Sequence, residues 1–216
     1  MSIIEIIQLA IILAISIGMH EYAHAYVSYR LGDPTPKLQG RLTPNPLKHI
    51  DPIGFLMIFL IHFGRGKPVQ INPMYYKNPR KGELIVALAG PAMNLVLAII
   101  GVVIIMIYSR IIGLSINGIF MNNIDIVNGF RINFSIINIA LAIFNLLPIP
   151  PLDGFRLIKM FWRKLGEMIE KYTLYISIFF LIFILGPGSG IVGSFLSGVS
   201  TFIFNLFFQF IGLIFY

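Results

Sequence analysis

The sequence predicts an all-α membrane protein, a multi-pass helical bundle with about five full spans and one short re-entrant helix. Hydrophobic residues make up 57% of its 216 residues, charged residues only 12%, and the mean hydropathy is +0.86. Soluble domains are usually about 45–50% apolar and about 25% charged. A chain with half that charge cannot cover a water-facing surface, so we expect the lipid bilayer to surround it.

Six apolar stretches supply the predicted helices, and their lengths decide which of them cross the membrane. Residues 50–63 are too few to cross about 30 Å of hydrocarbon and are predicted to re-enter on the same side. Residues 83–108 are long enough to span, whereas 132–147 are marginal. A turn of helix-breaking residues at 186–190 separates the last two stretches. In order, the stretches are 3–19 (with helix continuing to 29), 50–63, 83–108, 132–147, 172–185 and 191–216.

The basic residues predict the orientation in the cell membrane. Fourteen of the 16 Lys and Arg residues lie in three connections, 30–48, 65–81 and 156–171. If residues 50–63 do not cross, all three connections fall on one side, which the positive-inside rule makes cytoplasmic. The N-terminus is then outside. The net charge of +7 thus reports orientation, and we expect no nucleic-acid partner.

The whole chain, 1–216, is predicted to form one integral-membrane domain. Its chemical motifs occupy about residues 16–157, and residues 172–216 supply C-terminal membrane helices. Two stretches bounded by Pro and Gly, 36–43 and 68–72, are expected to be extended and to pair as a small β-hairpin near the active site. The chain has no cysteine, so a metal would have to be held by His and carboxylate groups.

The most specific motif is H-E-x-x-H, formed by His20, Glu21 and His24. On a helix, residues four apart share one face about a turn apart, so both histidines can reach one ion. Glu21 follows the first ligand closely enough to act as general base toward water activated by zinc. Ionisable groups deep in a membrane helix are costly, and a bound dication would compensate for that cost.

A catalytic zinc usually has three protein ligands, and the third is predicted to be Asp153. Asp33 and Asp51 occupy turn or cap positions, and Asp125 falls in the sparsely charged outer connection. Asp153 follows three prolines at the inner end of a membrane segment. Those prolines forbid an ordinary helix, so the backbone there can turn toward the metal. The alternative role for Asp153 is a helix cap before Gly154.

Five motifs in the expected order resemble the site-2 protease family of intramembrane zinc proteases, peptidase family M50. The resemblance implies that His20, His24 and Asp153 bind one zinc ion and that Glu21 is the catalytic base. It also implies that Asn145 polarises the substrate carbonyl and that the site faces the cytoplasmic side. The chain is similar to a short form without PDZ or CBS domains. The motifs are HEYAH (20–24), GDPTP (32–36) with GRLT (40–43), NPLKHIDPIG (45–54), AGPAMN (89–94) and NLLPIPPLDG (145–154).

The resemblance implies a zinc metalloendopeptidase that hydrolyses peptide bonds in or near transmembrane segments of membrane proteins. The alternatives are a zinc transporter using the same ligands and a catalytically silent scaffold. Two further polar residues keep two interpretations each. Asn94 could hydrogen-bond between helices near the site or only pack there. His49 is favoured as structural over a role in supporting the metal ligands.

Overall fold

The computed structural model describes residues 2–51, 54, 66–111 and 126–215, without the side chains of 126–128. Its described part is built from α-helices joined by turns, which confirms an all-α membrane protein. Two short 3₁₀ turns at Pro46–Lys48 and Pro73–Tyr75 lie in the connections. The helices are α1 (Ile3–Arg30), α2 (Thr35–Leu38), α3 (Pro79–Ile111), α4 (Ile126–Asn145), α5 (Phe155–Phe161), α6 (Arg163–Lys171), α7 (Thr173–Leu185) and α8 (Ser189–Phe215).

Three helices, α1, α3 and α8, are long and apolar enough to cross a membrane. α6 and α7 are bent by 77° at their junction, and if this pair counts as one span, the number of candidate spans rises to four. α4 contributes a shorter apolar helix over Gly129–Asn145. The count of five spans therefore remains a prediction. The expected re-entrant segment, 50–63, lies almost wholly outside the described residues.

α1 begins at a capping box, and a buried carboxylate, that of Asp33, follows its C-terminus. Ser2 Oγ accepts from the Glu5 backbone N–H, and Glu5 in turn accepts from the Ser2 N–H. Beyond its C-terminus, Gly32 adopts a φ of +108°, a conformation that favours glycine. The chain then places Asp33, fully buried, against the last turns of the helix.

Asp33 joins the end of α1 to two connections. Its carboxylate accepts hydrogen bonds from Ser28 Oγ at 2.8 Å, from the Thr35 N–H at 2.9 Å and from the Asn72 N–H at 2.7 Å. Ser28 Oγ also lies 2.7 Å from the Tyr76 hydroxyl. Burial alone would raise the pKa of Asp33, but these hydrogen bonds outweigh it and lower the pKa below its ordinary value. As predicted from its turn position, Asp33 is structural.

The expected β-hairpin between 36–43 and 68–72 is wrong for the first stretch. Thr35–Leu38 form a helical turn, because Pro36 suits the first turn of a helix and Asp33 accepts from the Thr35 N–H. In the described residues the antiparallel bridge of this region joins Ile50 to Gly66 instead. The two stretches still meet through side chains, since Gln39 Nε2 donates to Gln70 Oε1 at 3.2 Å.

The apolar core lies where α3 packs against α4 and α8. Gly101 allows α4 to approach α3 closely, because a Cβ at this position would lie 2.2 Å from Ser135 Oγ. Small residues at such crossings let membrane helices approach backbone to backbone. The buried core residues are Ala98, Val102, Ile105, Met106, Ile139, Phe204, Phe208 and Ile211.

The segment after α4 turns back into the bundle, as the three prolines predict. Its ends are tied together, because the Gly154 N–H donates to the Asn145 carbonyl at 2.7 Å. A Cβ on Gly154 would lie 2.1 Å from the Leu146 carbonyl oxygen, so only glycine fits this close approach. The closed turn presents Asp153 to α1.

Candidate metal centre

Two histidines of α1 face α3 from inside the bundle. His20 and His24 are only 8% and 9% exposed, and their Nε2 atoms lie 3.0 Å apart. Their positions, four residues apart on one helix, place the two rings one above the other on the same face. The spacing read from the sequence therefore produces the expected pair of neighbouring imidazoles.

Asp153 completes a triangle with the two imidazoles. Its Oδ2 lies 3.1 Å from His20 Nε2 and 3.3 Å from His24 Nε2. Zinc bonds of about 2.0–2.1 Å in tetrahedral geometry separate neighbouring ligand atoms by about 3.3 Å. The three atoms thus have the mutual spacing of ligands on a single ion, and within the described residues they form a cluster of His and carboxylate groups able to hold one.

The hydrogen bonds around the cluster leave its inner atoms unsatisfied. His24 Nδ1 donates to the Val86 carbonyl at 2.7 Å, which in the neutral imidazole leaves the lone pair of Nε2 facing Asp153. Among the described residues, Asp153 Oδ2 is buried and has no hydrogen-bond donor. Acceptor atoms held this close in a buried site repel one another unless a cation lies between them. The donor set therefore fits a divalent metal ion.

Gly90 leaves space beside the Nε2 atoms of His20 and His24. A Cβ on this residue of α3 would lie 2.4 Å from His24 Nε2 and 2.6 Å from His20 Nε2. Those values approach metal-to-ligand distances, so the added carbon would compete with an ion for the same space. The glycine keeps the face of the imidazole pair open.

Glu21 lies beside the pair and is held by a backbone amide. Its Oε2 accepts from the Val69 N–H at 3.1 Å. Gly66 packs on the same side, where a Cβ would lie 3.6 Å from Glu21 Cγ. The connection before α3 therefore orients the carboxylate that the sequence predicts to be the base.

Asn145 is turned toward its own helix. Its Nδ2 donates to the Leu141 carbonyl at 2.9 Å, one turn back along α4. The predicted role of Asn145 toward a substrate carbonyl remains a prediction.

Asn94 is fully buried, and its Oδ1 lies 2.6 Å from His20 Nδ1. This contact favours the hydrogen-bonding interpretation of Asn94 over simple packing. His49 is also buried, and its Nε2 donates to the Thr43 carbonyl at 2.8 Å. Burial lowers the pKa of His49 below its ordinary value, which keeps the ring neutral. That arrangement fits the structural interpretation of His49.

Asn138 is a participant that the sequence analysis missed. It is fully buried on α4 and accepts from Asn94 Nδ2 at 2.9 Å. The available signal was an amide side chain within an apolar membrane helix, where polar groups usually hydrogen-bond to a neighbouring helix.

The fold and the site define a helical membrane protein that gathers two histidines and an aspartate into a cluster able to hold a metal ion. The family model described as Peptidase family M50 matches residues 8–184, and the chain belongs to this family.

Several curated relatives share this similarity. The chain is 37% identical to the Bacillus subtilis protein named "Putative zinc metalloprotease YwhC", over 92% of this chain and 90% of the relative. It is 33% identical to "Putative zinc metalloprotease Rip2" of Mycolicibacterium smegmatis, over 65% of this chain and 51% of the relative. It is 29% identical to "Zinc metalloprotease MJ0392" of Methanocaldococcus jannaschii, over 72% of this chain and 34% of the relative. No solved structure matches the chain significantly.

Proposed function

We propose that the protein is a zinc-dependent endopeptidase that hydrolyses peptide bonds in or near transmembrane segments of membrane proteins. His20, His24 and Asp153 would hold one zinc ion per chain. The observation that carries the proposal is the triangle of their ligand atoms, with sides of 3.0, 3.1 and 3.3 Å, buried among apolar helices. Membership of Peptidase family M50 and the names of the relatives support proteolysis as the use of this site.

Zinc, when bound there, supplies Lewis-acid activation of water. Glu21 would take the proton from that water on a carboxylate oxygen and deliver it to the leaving amine. The hydrogen bond from the Val69 N–H at 3.1 Å holds the Glu21 carboxylate in one orientation beside His20. Asn145 would donate to the substrate carbonyl after its amide turns from Leu141, which accepts from it at 2.9 Å.

The site is proposed to open to the cytoplasmic side of the cell membrane. His20 lies ten residues before the end of α1 at Arg30, about 15 Å along the helix axis. Basic residues cluster in the connections at that same end, where Arg156 pairs with Glu83 at 3.6 Å. Because a helical substrate hides its carbonyls in its own hydrogen bonds, a membrane-spanning substrate must unwind locally before it is cut.

The test compares Glu21→Gln with the wild-type chain in membranes. We expect cleavage to fall by about 10²–10⁴-fold, because general-base catalysis is lost, while the protein keeps its zinc. Membrane proteomics of cells expressing each form should show spans that accumulate uncut with the variant. Metal analysis of the purified proteins checks that zinc is retained.

Glu5→Gln is the matched control, since this glutamate lies on the same helix and a glutamine can keep the capping box. It should cleave like the wild type. A zinc transporter using the same ligands would keep most of its flux in Glu21→Gln. Unchanged proteolysis in that variant would contradict the proposed base, and zinc retention without proteolysis by the wild type would identify a silent scaffold.

A further inference from the structure

A chain of amide hydrogen bonds runs from His20 into α4. His20 Nδ1 lies 2.6 Å from Asn94 Oδ1. Asn94 Nδ2 donates to Asn138 Oδ1 at 2.9 Å, and Asn138 Nδ2 donates to the Phe134 carbonyl at 2.8 Å. Both asparagines are fully buried. Three helices, α1, α3 and α4, are thus joined by one line of polar groups that ends at the His20 imidazole.

The Phe134 carbonyl, at the α4 end of this series of hydrogen bonds, determines which group donates and which accepts in each of them. The Phe134 carbonyl can only accept, so the Asn138 amide must present its nitrogen there and its oxygen to Asn94. That oxygen requires the Asn94 nitrogen, which leaves the Asn94 oxygen facing His20. His20 Nδ1 must then carry the proton, so that in the neutral imidazole, the form that binds a metal, Nε2 keeps its lone pair toward Asp153.

We propose that Asn94 and Asn138 are positioning residues that fix the tautomer and ring orientation of His20 for zinc binding. The inference rests on the proposed zinc site and assigns it two residues beyond the ligands and the base. Partners of this kind on the second ring nitrogen raise the affinity of a metal site, and their loss typically weakens it about 10–100-fold.

His24 is oriented in a similar way, but through a single hydrogen bond. His24 Nδ1 donates directly to the Val86 carbonyl of α3 at 2.7 Å. Both imidazoles are therefore oriented by a backbone carbonyl, His24 in one step and His20 through two amide side chains. A residue that served packing alone would not need its donors and acceptors in this order.

The experiment measures zinc affinity by chelator competition for the purified wild type, Asn94→Leu, Asn138→Leu and the double variant. Leucine is close to asparagine in size but removes the hydrogen bonds. We expect Asn94→Leu to weaken zinc binding by about 100-fold and Asn138→Leu by about 10-fold. Because the two residues act in series, the double variant should bind no more weakly than Asn94→Leu.

Two readouts separate positioning from a general loss of structure. The absorption spectrum of the cobalt-substituted protein should change in both single variants, since it reports the geometry of the ligands. Thermal unfolding of the metal-free protein identifies any variant that folds poorly, and Asn138→Ser is the substitute if Asn138→Leu does so. Ser135→Ala is the control, because Ser135 is a buried polar residue of the same helix whose hydroxyl donates to Arg131 instead.

Equal zinc affinity and equal cobalt spectra in folded wild type and variants would overturn the inference while leaving the zinc site intact. An effect of Asn94→Leu without one of Asn138→Leu would overturn the two-residue chain. If the folded wild type binds no zinc, the proposed function itself fails, and that result is distinct from both others.

Discussion

The two halves of α3 present one continuous face with two different chemistries. Buried residues recur every four positions along it, at 82, 86, 90, 94, 98 and 102. In the first half this face gives α1 a glycine, a backbone carbonyl and an amide, at Gly90, Val86 and Asn94. In the second half it packs the apolar side chains of Ala98 and Val102 into the core shared with α4 and α8. The buried residues in the first half of this face thus orient the imidazoles, whereas those in the second half pack the apolar core.

The comparison predicts that crowding the two halves will have different consequences. Gly90→Ala should have the largest effect, because its Cβ would lie 2.4 Å from His24 Nε2 and 2.6 Å from His20 Nε2. We expect zinc affinity to fall by more than about 100-fold, since the imidazoles must move apart or the ion is excluded. Chelator competition on the purified proteins measures it.

Gly101→Ala is the matched variant on the same helix. Its Cβ would lie 2.2 Å from Ser135 Oγ, so it crowds a helix crossing to a similar degree but away from the ligands. This variant should unfold more easily and bind zinc normally when folded. Equal loss of zinc in both alanine variants would show that the two halves are not separable.

Phe204→Ala weakens the packing half of this face without touching the ligands. Phe204, on α8, is 2% exposed and belongs to the cluster packed on α3. Phe204→Ala should destabilise the protein by about 3–5 kcal/mol, through lost transfer free energy and the cavity that remains. Zinc affinity of the folded fraction should stay within about threefold of the wild type, because ligand atoms on α1 do not contact Phe204.

Denaturant titration in detergent measures the stability change of Phe204→Ala. Phe202→Ala is its control, since that residue is 63% exposed on the same helix. A similar loss in both variants would mean that the lipid-facing surface contributes as much as the core.

The cluster of His20, His24 and Asp153 was predictable from the sequence, because helix spacing and the prolines are local signals. Two histidines four apart on a helix must share a face, and Asp153 was selected by eliminating three other aspartates and by the prolines before it. The structure brings these atoms within 3.3 Å of one another. The resemblance to a known family added the proposed role of Asn145 and the order of the motifs.

The supporting residues were less predictable because they depend on helix packing. Asn94 and Asn138 are 44 residues apart on different helices, and nothing in either helix pattern fixes their mutual rotation. The expected hairpin failed for a local reason, since Thr35–Leu38 form a helical turn, at the start of which Asp33 accepts from the Thr35 N–H, where Pro and Gly had predicted extended backbone. Pro36 also suits the first turn of a helix, so the same residue fits both interpretations.

The smallest expected effect is that of substituting Asp33, a buried carboxylate that belongs neither to the histidine cluster nor to the apolar core. Asp33 is fully buried and accepts from Ser28, Thr35 and Asn72, at the end of α1 beyond His24. In Asp33→Asn an amide N–H₂ replaces one carboxylate oxygen, so at least one of these donors loses its acceptor. The free energy of unfolding should fall by about 1–3 kcal/mol at neutral pH. Zinc affinity should not change, because this network does not contact the imidazoles.

The pH dependence gives the sign of this contribution. Because the hydrogen bonds lower the pKa of Asp33 in the folded protein, its carboxylate stabilises the fold above the unfolded pKa of about 3.9. That stabilisation is lost as the pH falls through the lower folded value. Thermal unfolding of the metal-free proteins should therefore show a gap between wild type and Asp33→Asn that is full at pH 7 and narrows in acid. A gap that stays constant with pH would show that the side chain contributes through shape and not through its charge.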